Sequence, residues 1–123
     1  MTALRVGTRG SPLAVWQAER IRSLLGARNL ESELVRVETA GDLDRDTPLA
    51  RFGAPAVFSR ELDEALHQGR IDLAVHSLKD LPTTLPAGIR IAAVSLREDP
   101  HDALVGREPL TWDSIPPGAS IAT

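Results

Sequence analysis

Apolar and polar positions along the chain switch between two periods. A short run at Leu4–Gly7 predicts a strand, and Gly7-Thr-Arg-Gly10 predicts the turn after it. Ser11-Pro12 then has the form of a helix start. Serine is a good N-cap, and proline suits the first helical position, where its missing N–H loses no bond. Leu13, Trp16, Ile21, Leu24 and Leu25 recur at helical spacing up to a stop near Gly26. Residues Glu33–Glu38 alternate, with Leu34 in phase with Arg36 and Val35 with Val37, which predicts a second strand. Val57, Phe58, Leu62, Ala65 and Leu66 form the stripe of a second helix ending at Gly69. Ile71–Val75 and Ile89–Val94 are apolar runs of the length of buried parallel strands.

Strand, helix, strand, helix, strand is an α/β pattern with a mostly parallel sheet and flanking helices. Between the second strand and second helix, Ala40–Ala56 is polar and rich in Gly and Pro. It exceeds the ~12–15 residues usual for a connection in a compact domain, which predicts a functional lid or a disordered segment. Beyond Val94 the pattern weakens. Arg97-Glu-Asp-Pro100 reads as a hinge, and Asp102–Val105 and Ser120–Ala122 read as strands of a second unit that the chain does not complete. The expected division is a first domain over 1–96, a hinge over 97–102 and the start of a second domain over 103–123.

Composition changes this picture only at a few points. The chain has 123 residues, enough for one domain with its own core. Its aromatics are Trp16, Phe52, Phe58 and Trp112 alone, so the core must be mostly aliphatic. A net charge of -3 gives no basic footprint for nucleic acid. There is no cysteine, hence no disulfide, thiolate nucleophile or Cys-ligated zinc. No apolar run reaches the ~20 residues of a membrane span, and the N-terminus has no apolar targeting core. A cytoplasmic protein is the expectation. Of the 14 basic residues 13 are arginines, and the single lysine, Lys79, stands beside Asp80 at the end of a predicted strand.

In an open α/β sheet, ligands bind beyond the C-terminal ends of the strands. Two segments fall there. Thr8-Arg9-Gly10-Ser11 joins a guanidinium to a helix N-terminus, a combination suited to a carboxylate or phosphate. It is equally the sequence of a capped helix beside a solvated arginine. The glycine spacing of a nucleotide site is missing. His76-Ser77-Leu78-Lys79-Asp80 follows the Ile71 strand. Neighbouring residues do not supply triad geometry, so a Ser-His or Ser-Lys hydrolase is disfavoured. An electrostatic pair, in which Lys79 binds an anion and Asp80 stabilises a cation, stands beside a simple helix cap made by Ser77 or Asp80. Asp42-Leu-Asp44-Arg-Asp46 imitates a calcium loop, but Thr47 and Gly53 occupy the positions that need Gly and Glu, so no metal site is expected. His67 and His101 have no second ligand at metal spacing.

Taken together, these segments resemble the porphobilinogen deaminases (hydroxymethylbilane synthases). The similarity runs through Thr8-Arg-Gly-Ser-Pro-Leu-Ala14 with Gln17, Gly41-Asp-x-x-x-Asp46-Thr-Pro-Leu-Ala50 and Phe58-x-x-Glu61-Leu62. It continues through Val75-His-Ser-Leu-Lys-Asp-Leu-Pro82, Arg97-Glu-Asp-Pro-His-Asp-Ala103 and Ile121-Ala-Thr123, in order and at family spacing. The resemblance is to the N-terminal portion of the family. It implies three domains, the first two folded like type II periplasmic binding proteins. It also implies a dipyrromethane cofactor held by a thioether to a cysteine in the third domain. The activity it implies joins four porphobilinogen molecules, with loss of ammonia, into linear hydroxymethylbilane through oligopyrrole intermediates. The resemblance assigns Asp80 as the catalytic carboxylate. It assigns Arg9, Ser11, Ser77, Lys79 and Thr123 as substrate- or cofactor-binding residues, and places Phe58 against a pyrrole ring. Where the family reads Gly-x-Lys this chain reads Gly53-Ala-Pro55, and Arg51 is the nearest cation to take over that carboxylate contact. Without cofactor cysteine or third domain, the chain alone is expected to be inactive. The family enzyme is expected to be a monomer, and an uncovered sheet edge predicts self-association of this portion. The other readings are a non-catalytic carboxylate-binding module and a shortened, inactive form of the same fold.

Overall fold

A computed structural model describes residues 3–43 and 58–122. The chain divides into two compact units, one up to Arg90 and one from Ile91 onward.

The first unit is built on a three-stranded parallel sheet. Its elements are β1 (Leu4–Thr8), α1 (Pro12–Gly26), β2 (Ser32–Arg36), α2 (Ala40–Leu43), α3 (Arg60–His67) and β3 (Leu73–Ala74). The strand order is β2-β1-β3. Leu4 through Thr8 pair with Ser32 through Arg36, and Val6 and Gly7 pair with Leu73 and Ala74 on the other side. The chain steps from β1 to β2 in one direction and from β2 across β1 to β3 in the other. With right-handed crossovers, that reversal puts successive helices on opposite faces and opens a crevice between β1 and β3.

Packing agrees with this arrangement. One core cluster joins Val37, Leu62, Ala65 and Ile71, with Val35, Leu66 and Ala74 against it. It lies between α3 and the sheet. Gly7 belongs to the same face: a Cβ there would sit 2.3 Å from Ile71 Cδ1 and 3.1 Å from Leu62 Cδ2. Strand alternation turns Val6 and Thr8, both fully buried, to the other face.

Helix α1 starts as its sequence predicts. The Ser11 hydroxyl accepts from the Ala14 N–H at 3.3 Å, with Pro12 in the first turn. It ends at Gly26, where the sequence predicts the stop. Leu30 N–H bonds the Leu25 carbonyl and Asn29 N–H bonds the Gly26 carbonyl, with Asn29 in the left-handed region at φ 59°. This is a Schellman closure with asparagine in the place glycine usually takes. Helix α3 closes in the same way, with Gly69 at φ 64°.

Several expectations need correction. The apolar stripe Leu13, Trp16, Leu24 is not the buried face of α1, since Leu13 and Trp16 are more than half exposed. Ala14 and Ala18 are the buried residues, because small side chains let the helix lie close on the sheet. The predicted loop from Ala40 begins with α2, and the rest of that segment lies outside the described residues. Ile71–Val75 contributes only two residues to the sheet. Ile89–Val94 is not a strand, nor are Asp102–Val105 and Ser120–Ala122 as far as they are described. An apolar run becomes a strand only beside a partner, and these runs have none among the described residues. The second unit instead contains a 3₁₀ turn at Trp112–Ser114, where Thr111 and Ser114 cap each other. Val94, Leu96, Val105 and Trp112 are exposed in it. Among the described residues no helix is long and apolar enough to cross a membrane.

Candidate functional site

Residues just past the ends of the strands meet at the β1/β3 crevice. Arg9 follows β1, Thr39 and Asp42 follow β2, and the 3₁₀ turn Leu78–Asp80 follows β3. The N-terminal turns of α1 add Ser11 and Gln17. A cleft of about 160 Å³ is lined here by Arg9, Ser11, Gln17, Ser77, Lys79 and Asp80, with His76 among its walls.

Arg9 is the centre of the arrangement. Its Nε and Nη2 donate to the two oxygens of Asp42 at 3.1 and 2.6 Å, and Nη1 reaches Asp80 Oδ2 at 3.5 Å. The guanidinium carbon lies 4.0 Å from the centre of the Phe58 ring, a cation–π contact. Asp42 is held in turn by Thr39, whose buried hydroxyl donates to Asp42 Oδ2 at 2.7 Å and accepts the Asp42 N–H at 3.2 Å. The guanidinium of Arg9, then the Thr39 hydroxyl, hold the Asp42 carboxyl below its ordinary proton affinity. Asp42, more than Asp80, raises that of Arg9.

The other wall is polar and only partly paired. The Ser77 hydroxyl donates to Gln17 Oε1 at 3.0 Å, tying the β3 end to α1. Lys79 is exposed and makes no ion pair among the described residues. Burial pushes the His76 imidazole toward its neutral form, against the opposing pull of Asp63 and Asp80.

Of the residues singled out in the sequence, the structure brings Arg9, Ser11, Ser77, Lys79 and Asp80 to one cleft, and sets Phe58 against Arg9. Ser11 also caps α1, so the hydroxyl that starts the helix is one that lines the cleft. Arg51 and Thr123 lie outside the described residues. Among the described residues no group of three His, Cys, Asp or Glu side chains could hold a metal ion. Asp42 and Thr39 are the site residues that sequence reasoning passed over. Asp42 stood inside a motif quoted for its resemblance, but nothing in its spacing said that it would face Arg9.

Comparison with known proteins decides the family. The family described as "Porphobilinogen deaminase, dipyromethane cofactor binding domain" matches residues 4–123. The chain belongs to the porphobilinogen deaminase family. It is 45% identical over 122 residues to the porphobilinogen deaminase of Syntrophus aciditrophicus, which covers 98% of this chain and 40% of that protein. Identity to the porphobilinogen deaminase of Geobacter sulfurreducens is 44% over 125 residues, 100% of this chain and 39% of the relative. That of Syntrophotalea carbinolica is 46% identical over 124 residues, with 99% and 39% covered. The chain thus spans about 40% of the length of the porphobilinogen deaminases it matches. The matched region begins at β1 and takes in every residue of the cleft.

Proposed function

We propose that this chain forms the pyrrole-binding lobe of a transferase that condenses four porphobilinogen molecules, with loss of ammonia, into hydroxymethylbilane. One observation carries the reading. A carboxylate, an ammonium and hydroxyl groups converge at the β1/β3 crevice of a chain that belongs to this family.

Porphobilinogen bears two carboxylates, a ring N–H and an aminomethyl group. Its binding requires cations and hydroxyls on one side and an acceptor on the other. Lys79, Ser77 and Ser11 answer the carboxylates, and Asp80 accepts the pyrrole N–H. The same donor set fits the acetate and propionate groups of a dipyrromethane cofactor. That cofactor, when bound, supplies the pyrrole carbon on which the product grows. When the C–N bond of the aminomethyl group breaks, ammonia leaves with the electron pair and the pyrrole is left a cation. Asp80 offsets that charge. At ~4 Å and an effective dielectric of ~20 such a pair is worth about 4 kcal/mol, or about three orders of magnitude in rate. Formation of the new C–C bond then releases one ring proton.

In an active enzyme carrying these residues, Asp80→Ala lowers turnover by roughly 10²–10⁴-fold with a smaller change in porphobilinogen binding. Equal losses in both would assign Asp80 to positioning instead. On the same reading Arg51 and Thr123 contribute further contacts, and the sheet is part of a lobe of the type II periplasmic-binding-protein kind. The strand order with its β1/β3 crevice supports that lobe. The segment over 97–102 is then its hinge to a second domain, and the enzyme works in the cytoplasm.

A further inference from the structure

Two carboxylates compete for one guanidinium at the crevice, and the competition is uneven. Asp42 and Asp80 have equal side-chain exposure, 22% each, so water screens both alike. Geometry separates them. Asp42 takes the fork of Arg9 through two oxygens, the shorter contact at 2.6 Å, while Asp80 keeps a single contact at 3.5 Å. Bidentate pairing is the strong form of this interaction, and a 3.5 Å contact is at the limit of a hydrogen bond. Asp42 is also fixed from behind by the buried Thr39 hydroxyl, and α2 starts on that same contact. Phe58 closes one face of the guanidinium. The Arg9 fork is therefore filled by Asp42, and Asp80 Oδ1 has no partner among the described residues.

We propose that Asp42, anchored by Thr39, is a positioning residue that holds the fork of Arg9 off Asp80 and so keeps the Asp80 carboxylate an open anion. The inference rests on the proposed role of Asp80 for its use, but not for its geometry. With its fork filled by Asp42, Arg9 orders the crevice, and Lys79, which makes no ion pair among the described residues, is free to meet a ligand carboxylate. Were Asp42 absent, the other anion in reach of Arg9 among the described residues would be Asp80, and the guanidinium would neutralise the charge that the reaction needs.

Double-mutant cycles on this chain test the idea without substrate, so their outcome is independent of whether Asp80 acts in turnover. Arg9→Gln and Asp80→Asn are combined, and the unfolding equilibrium constant is measured in denaturant. In the native background the two effects multiply to within about twofold. In the Asp42→Asn background they depart from multiplication by about fivefold or more, because Arg9 has moved onto Asp80. Thr39→Val, which keeps the Asp42 charge and removes its anchor, gives the same departure in smaller measure and serves if Asp42→Asn does not fold. A coupling between positions 9 and 80 that is already large in the native background, or that fails to grow in either variant, overturns the proposal.

Discussion

Gly7 shows how tightly single residues are specified here. A methyl group at this position would enter the space filled by Ile71 and Leu62, both nearly or fully buried. Gly7→Ala is therefore expected to destabilise the fold by about 1–3 kcal/mol, in spite of the small entropic gain that alanine usually brings. Denaturant unfolding checks the value. Ile71→Val removes the closest atom, Cδ1, so the double variant should be more stable than the two single effects predict. His67 is specified in another way. Its Nδ1 and Nε2 each lie 2.9 Å from a carbonyl, of Asp63 and of Ala87, and only an imidazolium donates to both. The Ala87 and then the Asp63 carbonyl raise its proton affinity above the ordinary value. The sign follows: the tie of Ala87 to α3 is complete below about pH 6.5 and is lost as pH rises through the higher folded value. The ring signals of His67 in NMR should titrate above 6.5, and amide exchange around Ala87 should quicken once they have done so. Neither residue was legible in the sequence. Glycine at the end of a strand also reads as a turn, and a histidine without a metal partner reads as a solvated or a core residue. What fixes both is a contact with a residue far along the chain.

Elements were more legible than residues, wherever the signal was local. Ser11-Pro12 announced the start of α1, and β1 and α3 fell within a few residues of their predicted places, because capping and short apolar periods are properties of neighbouring side chains. The buried face of α1 is not the one an apolar count picks out, since Leu13 and Trp16 outweigh Ala14 and Ala18 there. The sheet, however, requires closeness and not bulk. Strand Ile89–Val94 failed for the opposite reason: its local pattern is good, but it has no neighbour to pair with among the described residues. Pairing also explains how so short a strand as β3 is held. Arg5 donates through its backbone N–H and Nε to Asp72 Oδ2 at 2.7 and 3.0 Å, and through Nη2 to Oδ1 at 2.7 Å. Its Nη1 bonds the Gly69 carbonyl at 2.6 Å. The Asp72 carboxyl, on Arg5 first of all, is drawn down to about 2. A depressed carboxyl contributes stability above its unfolded value near 3.8, which is lost as pH falls toward 2. Asp72→Asn should lower the Tm at neutral pH and flatten its fall between pH 4 and 2. Asp42 and Asp99, also held low, leave part of that slope in place. An unchanged acid limb would mean that the pair does not hold β3 to β1.

At the scale of the molecule, the strand order decides where chemistry can occur. A β2-β1-β3 sheet has one crevice, and the two motifs that looked functional in the sequence flank it because one follows β1 and the other β3. That much could be argued from order alone. The Asp42–Arg9 pair could not, since it depends on how the chain returns after β2. The same scale sets a limit on what this chain can do with a pyrrole. Its cleft of about 160 Å³ offers charge on both walls, so reversible binding of porphobilinogen is expected, with NMR shifts at Ser77, Lys79 and Asp80. A growing oligopyrrole must also be tethered while units are added, and the resemblance assigns that tether to a cysteine thioether. No cysteine occurs among the 123 residues, and the sulfur of Met1 is a thioether already. After incubation with porphobilinogen and unfolding in acid, the intact mass should therefore remain that of the 13.3 kDa chain. Reversible shifts with an unchanged mass would mark the chain as a binding lobe. A stable increment of one or two pyrrole units would require another nucleophile; Lys79, the amine in the cleft lining, is the one to test, and Lys79→Arg would then have to abolish it.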